Sequence, residues 1–334
     1  MRRITSALFL LTAGLVTTGY GKHLKAIELN QEWKDLIAER APQSPAVEPK
    51  EVRKVLIFSL TTGFKHWCIP HTEAVIEILG AETGAYESVA SKDVEVFRPE
   101  RLKQFDAVVL NNNCPTRGER DLFHDVLIKQ IDKADAKLKA MPLAEREALA
   151  RMLYESLVDY VADGGGLVLL HGAISNFNYS DEFSAIAGGS FDYHPPQQEV
   201  TLYPVSPEHP VLRSFGGKPF VHYDEPYVMN RAYAELNFAP MLEMDTSNLR
   251  INSEKRKKEM AALPRYVAWI KPYKKGRVFF SSPSHNAQSF ERPELLGFLL
   301  NGMQYALGDL ECDDRPLGKN RRVAKTPGMT CCPE

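Results

Sequence analysis

A charge imbalance is missing from this chain: 41 lysines and arginines face 43 aspartates and glutamates, a formal net charge of -2. Nucleic-acid binders carry a basic excess or a basic stripe. Neither is present, so no nucleic-acid partner is expected. Cysteine is scarce too, with five in 334 residues. Cys68, Cys114, Cys312, Cys331 and Cys332 show no paired spacing of the zinc-finger kind. An odd number in an exported protein leaves at least one thiol unpaired or paired between chains. Cys312 with Cys331 or Cys332 would staple the tail. No Gly-x-x-x-x-Gly-Lys-Ser/Thr phosphate loop and no His-Glu-x-x-His helix occurs. Gly164-Gly165-Gly166 precedes its strand rather than following it, so it reads as a turn and not as a dinucleotide fingerprint.

Long apolar runs are absent after the start of the chain. Met1-Arg2-Arg3, the apolar stretch Ala7 to Val16 and the small residues through Gly21 have the form of a secretory signal peptide, residues 1–21. An uncleaved anchor is the competing reading, but the run is short for a bilayer span. No cysteine follows it to carry a lipid. The expectation is an exported protein, periplasmic or extracellular, that is not an integral membrane protein after processing.

What the chain does contain is an alternation of buried strands and helices. Residues 22–50 are polar and proline-rich, which marks a linker, with a short helix near Gln31 to Glu39. The main domain spans 51–310, and 311–334 reads as a loose tail. Val55 to Leu60, Asp106 to Asn111 and Leu167 to Leu170 are nearly unbroken apolar runs, as in strands buried on both faces. His71 to Thr83 and Pro293 to Leu307 carry helical apolar faces. Residues 119–162 read as a charged helical insertion broken at Pro142. Glu199 to Val205 alternates as a half-exposed strand, and Arg265 to Tyr273 with Arg277 to Ser282 forms a hairpin. The fold class is therefore α/β: a mostly parallel sheet with helices on both faces.

Open sheets of this kind bind ligands outside the carboxyl ends of their strands. The polar residues that follow the strands are Lys65 and His66, then Asn111, Asn112, Asn113 and Cys114, then His171. Later loops add Asp192, His194, His222, Asp224, Glu225 and His285. Any one loop histidine is more often a surface or hydrogen-bonding residue than a catalyst. The topology gives the set a reason to converge, for acid–base chemistry or a divalent metal.

These loops also resemble a known family. Gly63-Phe64-Lys65-His66, Leu170-His171-Gly172-Ala173, His194-Pro195, His209-Pro210, Tyr223-Asp224-Glu225-Pro226-Tyr227 and Gly276 to Phe280 followed by His285 are similar, in order, to the motifs of the ThuA-like (trehalose utilisation) family. The resemblance runs from about Lys54 to Gly308. It implies a flavodoxin-like fold of the class I glutamine amidotransferase type, with His171 near the turn where amidotransferases keep a cysteine. It also implies carbohydrate catabolism, alongside sugar oxidoreductases that make 3-keto sugars. Lys65 stands where the family has arginine and Pro226 where it often has tryptophan.

The site expected from these readings has His171 and Glu225 as an acid–base pair. Lys65, His66, Asn113, His194, Asp224, Tyr227 and His285 would bind a small carbohydrate. His66, His171, His194 and His285 would hold a divalent metal such as zinc. The reaction would be isomerisation, elimination or hydrolysis of a sugar or 3-keto sugar, without a cysteine nucleophile. The alternative is a non-catalytic carbohydrate-binding domain using Phe64, Trp67, Tyr179, Tyr193 and Tyr227. A partner-docking role would rest on residues 119–162 alone.

Overall fold

The computed structural model describes residues 24–261 and 265–318. The expected signal segment, Cys331 and Cys332 lie outside them. Folding begins at α1 (Gln31–Arg40), where the Asn30 side chain accepts the Trp33 amide proton and satisfies one orphan donor of the first turn. Trp33 and Ile37 are buried, and Trp33 meets His71 edge-on at 4.9 Å. Further along, the Gln304 side chain accepts from the Ala46 amide and donates to the Val47 carbonyl, and Asp309 accepts from the Lys50 amide. Residues 24–50 are therefore docked, which corrects the expectation of a free linker. Prolines do set an extended path here, but side chains of the main domain take up its backbone groups.

The main domain runs β1 (Lys54–Phe58), α2 (Ile69–Thr83), β2 (Glu87–Ser91), β3 (Ala107–Asn111), α3 (Leu143–Ala162) and β4 (Gly166–Leu170). Every residue of β3 and β4 is buried. Successive residues of β1 enter opposite layers: Val55 and Ile57 join one core, Leu56 and Phe58 the other. Strands with no solvent face need helices on both sides. Pro142 caps α3, whose Leu149, Leu153, Leu157 and Val161 are buried. The expected insertion of 119–162 is thus partly the crossover helix itself, and only the broken turns of 119–141 are extra.

The second half supplies β5 (Ser190–Tyr193), β6 (Gln198–Pro204), β7 (Phe220–Asp224), β8 (Val228–Asn230), β9 (Ala239–Met244), β10 (Tyr266–Tyr273), β11 (Gly276–Ser281) and α4 (Pro293–Ala306). The sheet order is β2-β1-β3-β4-β11-β10-β9-β6-β7. The first five strands pair in parallel, with β11 in the fifth place of a flavodoxin-like order. From β10 outward the pairing is antiparallel. The ribbon β5–β8 stands apart. No helix among the described residues is long and apolar enough to cross a membrane.

Candidate functional site

Four strand ends and one antiparallel edge deliver the site. His66 follows β1, Asn112 to Cys114 follow β3, His171 follows β4, Glu225 follows β7 and His285 follows β11. His171 sits at φ 46 on the tight turn after β4, a left-handed conformation that costs a non-glycine residue of order 1 kcal/mol or more. That turn aims the imidazole across the sheet edge, where the Ser282 carbonyl lies 2.8 Å from Nδ1. A carbonyl only accepts, so Nδ1 donates, which leaves Nε2 facing the rest of the site. This Nε2 lies 3.3 Å from Glu225 Oε2 and 3.2 Å from His285 Nδ1. His285 Nδ1 lies 3.3 Å from the same Glu225 oxygen. The three atoms form a nearly equilateral triangle.

His66 closes the group from above, its ring edge-on to His171 and to His285 at 4.9 Å each. Ligating atoms of His66, His171, Glu225 and His285 all lie within 4.8 Å of one another. Tyr227 lies against the His171 ring at 4.2 Å. Asp224 accepts from the backbone amides of Glu225 at 2.7 Å and His285 at 3.4 Å, fixing both segments. The Gln197 amide stands 2.6 Å from His285 Nε2. Ordered partners behind each ring are what a metal-ligating histidine requires.

Electrostatics follow from burial and this crowding. Burial alone would raise the Glu225 carboxyl, but hydrogen bonds and charge from His171 and His285 outweigh it and hold it well below the usual carboxylate range. Burial pulls His285 down, and the Glu225 contact more than reverses that, leaving it raised. His66 is pushed well below its ordinary value, first by burial and then by the other histidines. Burial drives the Cys114 thiol up to about 12, although its Sγ lies 3.8 Å from His66 Nδ1. Such a thiol stays protonated at neutral pH and is not an activated nucleophile.

His66, Glu225 and His285 of the cluster line a cavity of about 790 Å³, whereas His171 is fully buried and is not among its lining residues. Phe64, Trp67, Phe191 and Tyr227 form its aromatic walls, with Arg117 and Arg120 on one side. Of the expected residues, His66, His171, Glu225, Tyr227 and His285 come together. His194 sits at the rim, partly exposed, with Nε2 3.6 Å from Glu225 Oε1. Asp224 underpins the site without facing the cavity. Two expectations are corrected. Lys65 is exposed and does not line the cavity, because its neighbour His66 takes the inward position. Asn113 is buried and donates to the Phe58 and Leu60 carbonyls, so it ties the end of β1 rather than facing a ligand. The tight four-residue group also contains Glu225 in place of the expected His194. Of the expected aromatic platforms, Tyr179 and Tyr193 do not line the cavity.

Sequence reasoning missed Gln197, Arg117, Arg120, Leu24 and Ala26, all of which line the cavity. The arginines flank Gly118 on the loop that follows β3, so strand-end logic alone would have reached them. Nothing in the sequence marks Leu24 and Ala26.

Fold and site together define a flavodoxin-like domain whose carboxyl-edge cavity is built on three histidines and a glutamate. A family model described as ThuA, trehalose utilisation, matches residues 54–306. The chain belongs to the ThuA family. Among solved structures, a ThuA-like protein from Bacteroides uniformis aligns with TM-score 0.56 at 15% identity, covering 79% of this chain and 93% of that one. A ThuA-like protein from Parabacteroides merdae aligns at TM-score 0.49 and 16% identity, covering 80% and 98%. No curated protein matches the chain.

Proposed function

We propose that this chain is a metal-assisted enzyme acting on a sugar or 3-keto sugar. The observation that carries the reading is the triangle of His171 Nε2, Glu225 Oε2 and His285 Nδ1, with edges of 3.2–3.3 Å. Ligands about 2.0–2.1 Å from a tetrahedral zinc-class ion stand about 3.3 Å apart. With Nδ1 donating to the Ser282 carbonyl, Nε2 is the His171 nitrogen that faces the Glu225 oxygen, and a cation or proton between the two atoms joins them. The donor set therefore fits a divalent metal held by His171, Glu225 and His285, with His66 beside it. Such an ion supplies Lewis-acid polarisation of a carbonyl or hydroxyl oxygen.

The chain's own groups divide the remaining work. Tyr227, Phe191, Trp67 and Phe64 offer faces for a pyranose ring. His171 and Glu225, expected as the acid–base pair, serve here as ligands. His194, at the rim beside the free Glu225 oxygen, becomes the group that exchanges protons with substrate and solvent. Cys114 packs and hydrogen-bonds without attacking. Proton transfer beside a ketone, giving isomerisation or elimination, suits this set better than double-carboxylate hydrolysis, since Glu225 is the only carboxylate among the described residues that lines the cavity. A sugar oxidoreductase would then supply the ketone. The basic and apolar N-terminal segment supports action outside the cytoplasm.

The test strips the protein with chelator and titrates zinc while following thermal unfolding. It then incubates trehalose and its 3-keto form with the reloaded protein and follows products by NMR. Zinc should raise the melting temperature of the wild type and not of His171→Ala, and only the loaded wild type should turn over the oxidised sugar. Zinc without effect on melting, together with no turnover, refutes the reading. Binding without turnover would favour a carbohydrate-binding domain.

A further inference from the structure

Two guanidinium groups on the cavity wall have no part in the scheme above. Arg117 and Arg120 line the cavity on the loop after β3. Among the described residues neither is within ion-pair distance of a carboxylate. The acidic neighbours of Arg120 are turned elsewhere: Glu119 lies 3.8 Å from Lys129, and Asp121 accepts the His124 amide at 2.9 Å. The one carboxylate among the described residues that lines the cavity, Glu225, is shared among His171, His194 and His285. The wall thus carries positive charge that no carboxylate among the described residues pairs with.

Arg120 is also placed at a cost. Its φ is 55, in the left-handed region, where a side-chain-bearing residue is strained by of order 1 kcal/mol. The Phe177 amide donates to its carbonyl at 2.7 Å and holds that conformation. The guanidinium then lies over the Phe191 ring, 5.0 Å from its centroid. Its charge favours the ionised forms of the Cys114 thiol and the Tyr227 hydroxyl, although burial dominates at both. A stacked, half-buried guanidinium with unspent donors matches the planar fork that recognises carboxylate or phosphate.

We propose that the substrate of this cavity is an anionic sugar, whose carboxylate or phosphate docks on Arg120 with Arg117 as second cation. The sugar ring would lie along Phe191 and Tyr227 toward the histidine–glutamate cluster. This rests on reading the cavity as a sugar site, but not on turnover or metal.

The experiment measures binding of glucose, glucuronate and glucose 6-phosphate to the full chain by calorimetry, at low and high salt. At least one anion should bind about tenfold or more tightly than glucose at low salt, and added salt should shrink that margin. A margin for glucuronate assigns the carboxylate, and one for glucose 6-phosphate the phosphate. Arg120→Gln should abolish the margin, while Lys65→Ala, an exposed cation outside the cavity, should keep it. If Arg120→Gln melts well below the wild type, Arg117→Gln is the variant read, with a reduced margin expected. Equal binding of all three sugars, absence of anion binding, or a margin untouched by the arginine variants overturns the proposal. Because binding is the readout, the result stands apart from any failure of catalysis.

Discussion

Replacing Gly172 with alanine tests how tightly the turn after β4 is packed against the site. A Cβ at this position would stand 2.5 Å from Cys114 Sγ and 3.0 Å from His66 Cε1. Carbon and sulfur rest at roughly 3.5–4 Å, as non-bonded heavy atoms do. The thiol would therefore have to move by about 1 Å. It has little room, since it is buried with His66 on one side and the Gly172 carbonyl on the other. Overpacking of this kind costs about 1–3 kcal/mol. In a domain of this size that is a drop of about 2–6 °C in melting temperature. Cys114→Ala removes the obstructing atom, so the double variant should recover most of the loss, with a coupling of about 1 kcal/mol or more. It should also keep the zinc-induced stabilisation proposed for the site, because Cys114 is not one of the four clustered side chains. Thermal melts of the four proteins, with and without zinc, complete the cycle. A harmless Gly172→Ala, or a loss that Cys114→Ala leaves in place, would refute the packing argument.

In the metal-free protein, His285 has a raised folded pKa. Its contribution is fully present below the ordinary value near 6.5 and is lost as pH rises through the folded value. His285→Gln should therefore cost more in thermal melts at about pH 5.5 than at about pH 9, and a pH-independent penalty would contradict the ion pair with Glu225. Lys65→Ala should change stability by no more than about 0.5 kcal/mol and leave sugar binding unaltered, as titration calorimetry would show. Trp33→Ala should cost about 3–5 kcal/mol in urea unfolding and open residues 41–50 to proteolysis. Wild-type behaviour of that variant would mean that α1 is not docked in solution.

The parallel half of the sheet was legible because its signal is local. Val55 to Phe58, Val108 to Leu110 and Leu167 to Leu170 are apolar runs that need no partner to be recognised. Strand-end logic then led to His66, His171 and His285. The antiparallel half was only partly legible. Glu199 to Val205 and the β10–β11 hairpin show their own patterns, but their order beyond β11 depends on long-range pairing. Lys65 and Asn113 misled for a shared reason: sequence places a residue on a loop without saying which way it faces. His66 turned inward sends Lys65 out, and the end of β1 claims the Asn113 amide. Residues 42–50 carry a linker's composition, and contacts with Gln304 and Asp309, more than two hundred positions away, reveal that they are held.

Trp33, His71 and Trp67 form a run of edge-on rings from α1 to the cavity wall. Leu24 and Ala26 also line that wall, yet the family match begins only at residue 54. The boundary drawn by family likeness therefore cuts through the cavity. A chain trimmed to 54–306 would keep His66, His171, Glu225 and His285 and lose Leu24 and Ala26 from the cavity wall. The histidine–glutamate cluster and part of the wall beside it thus lie on different stretches of the polypeptide. Two relatives with the same histidines and glutamate can differ in what they accept through a front segment that a comparison of their shared domains would leave out.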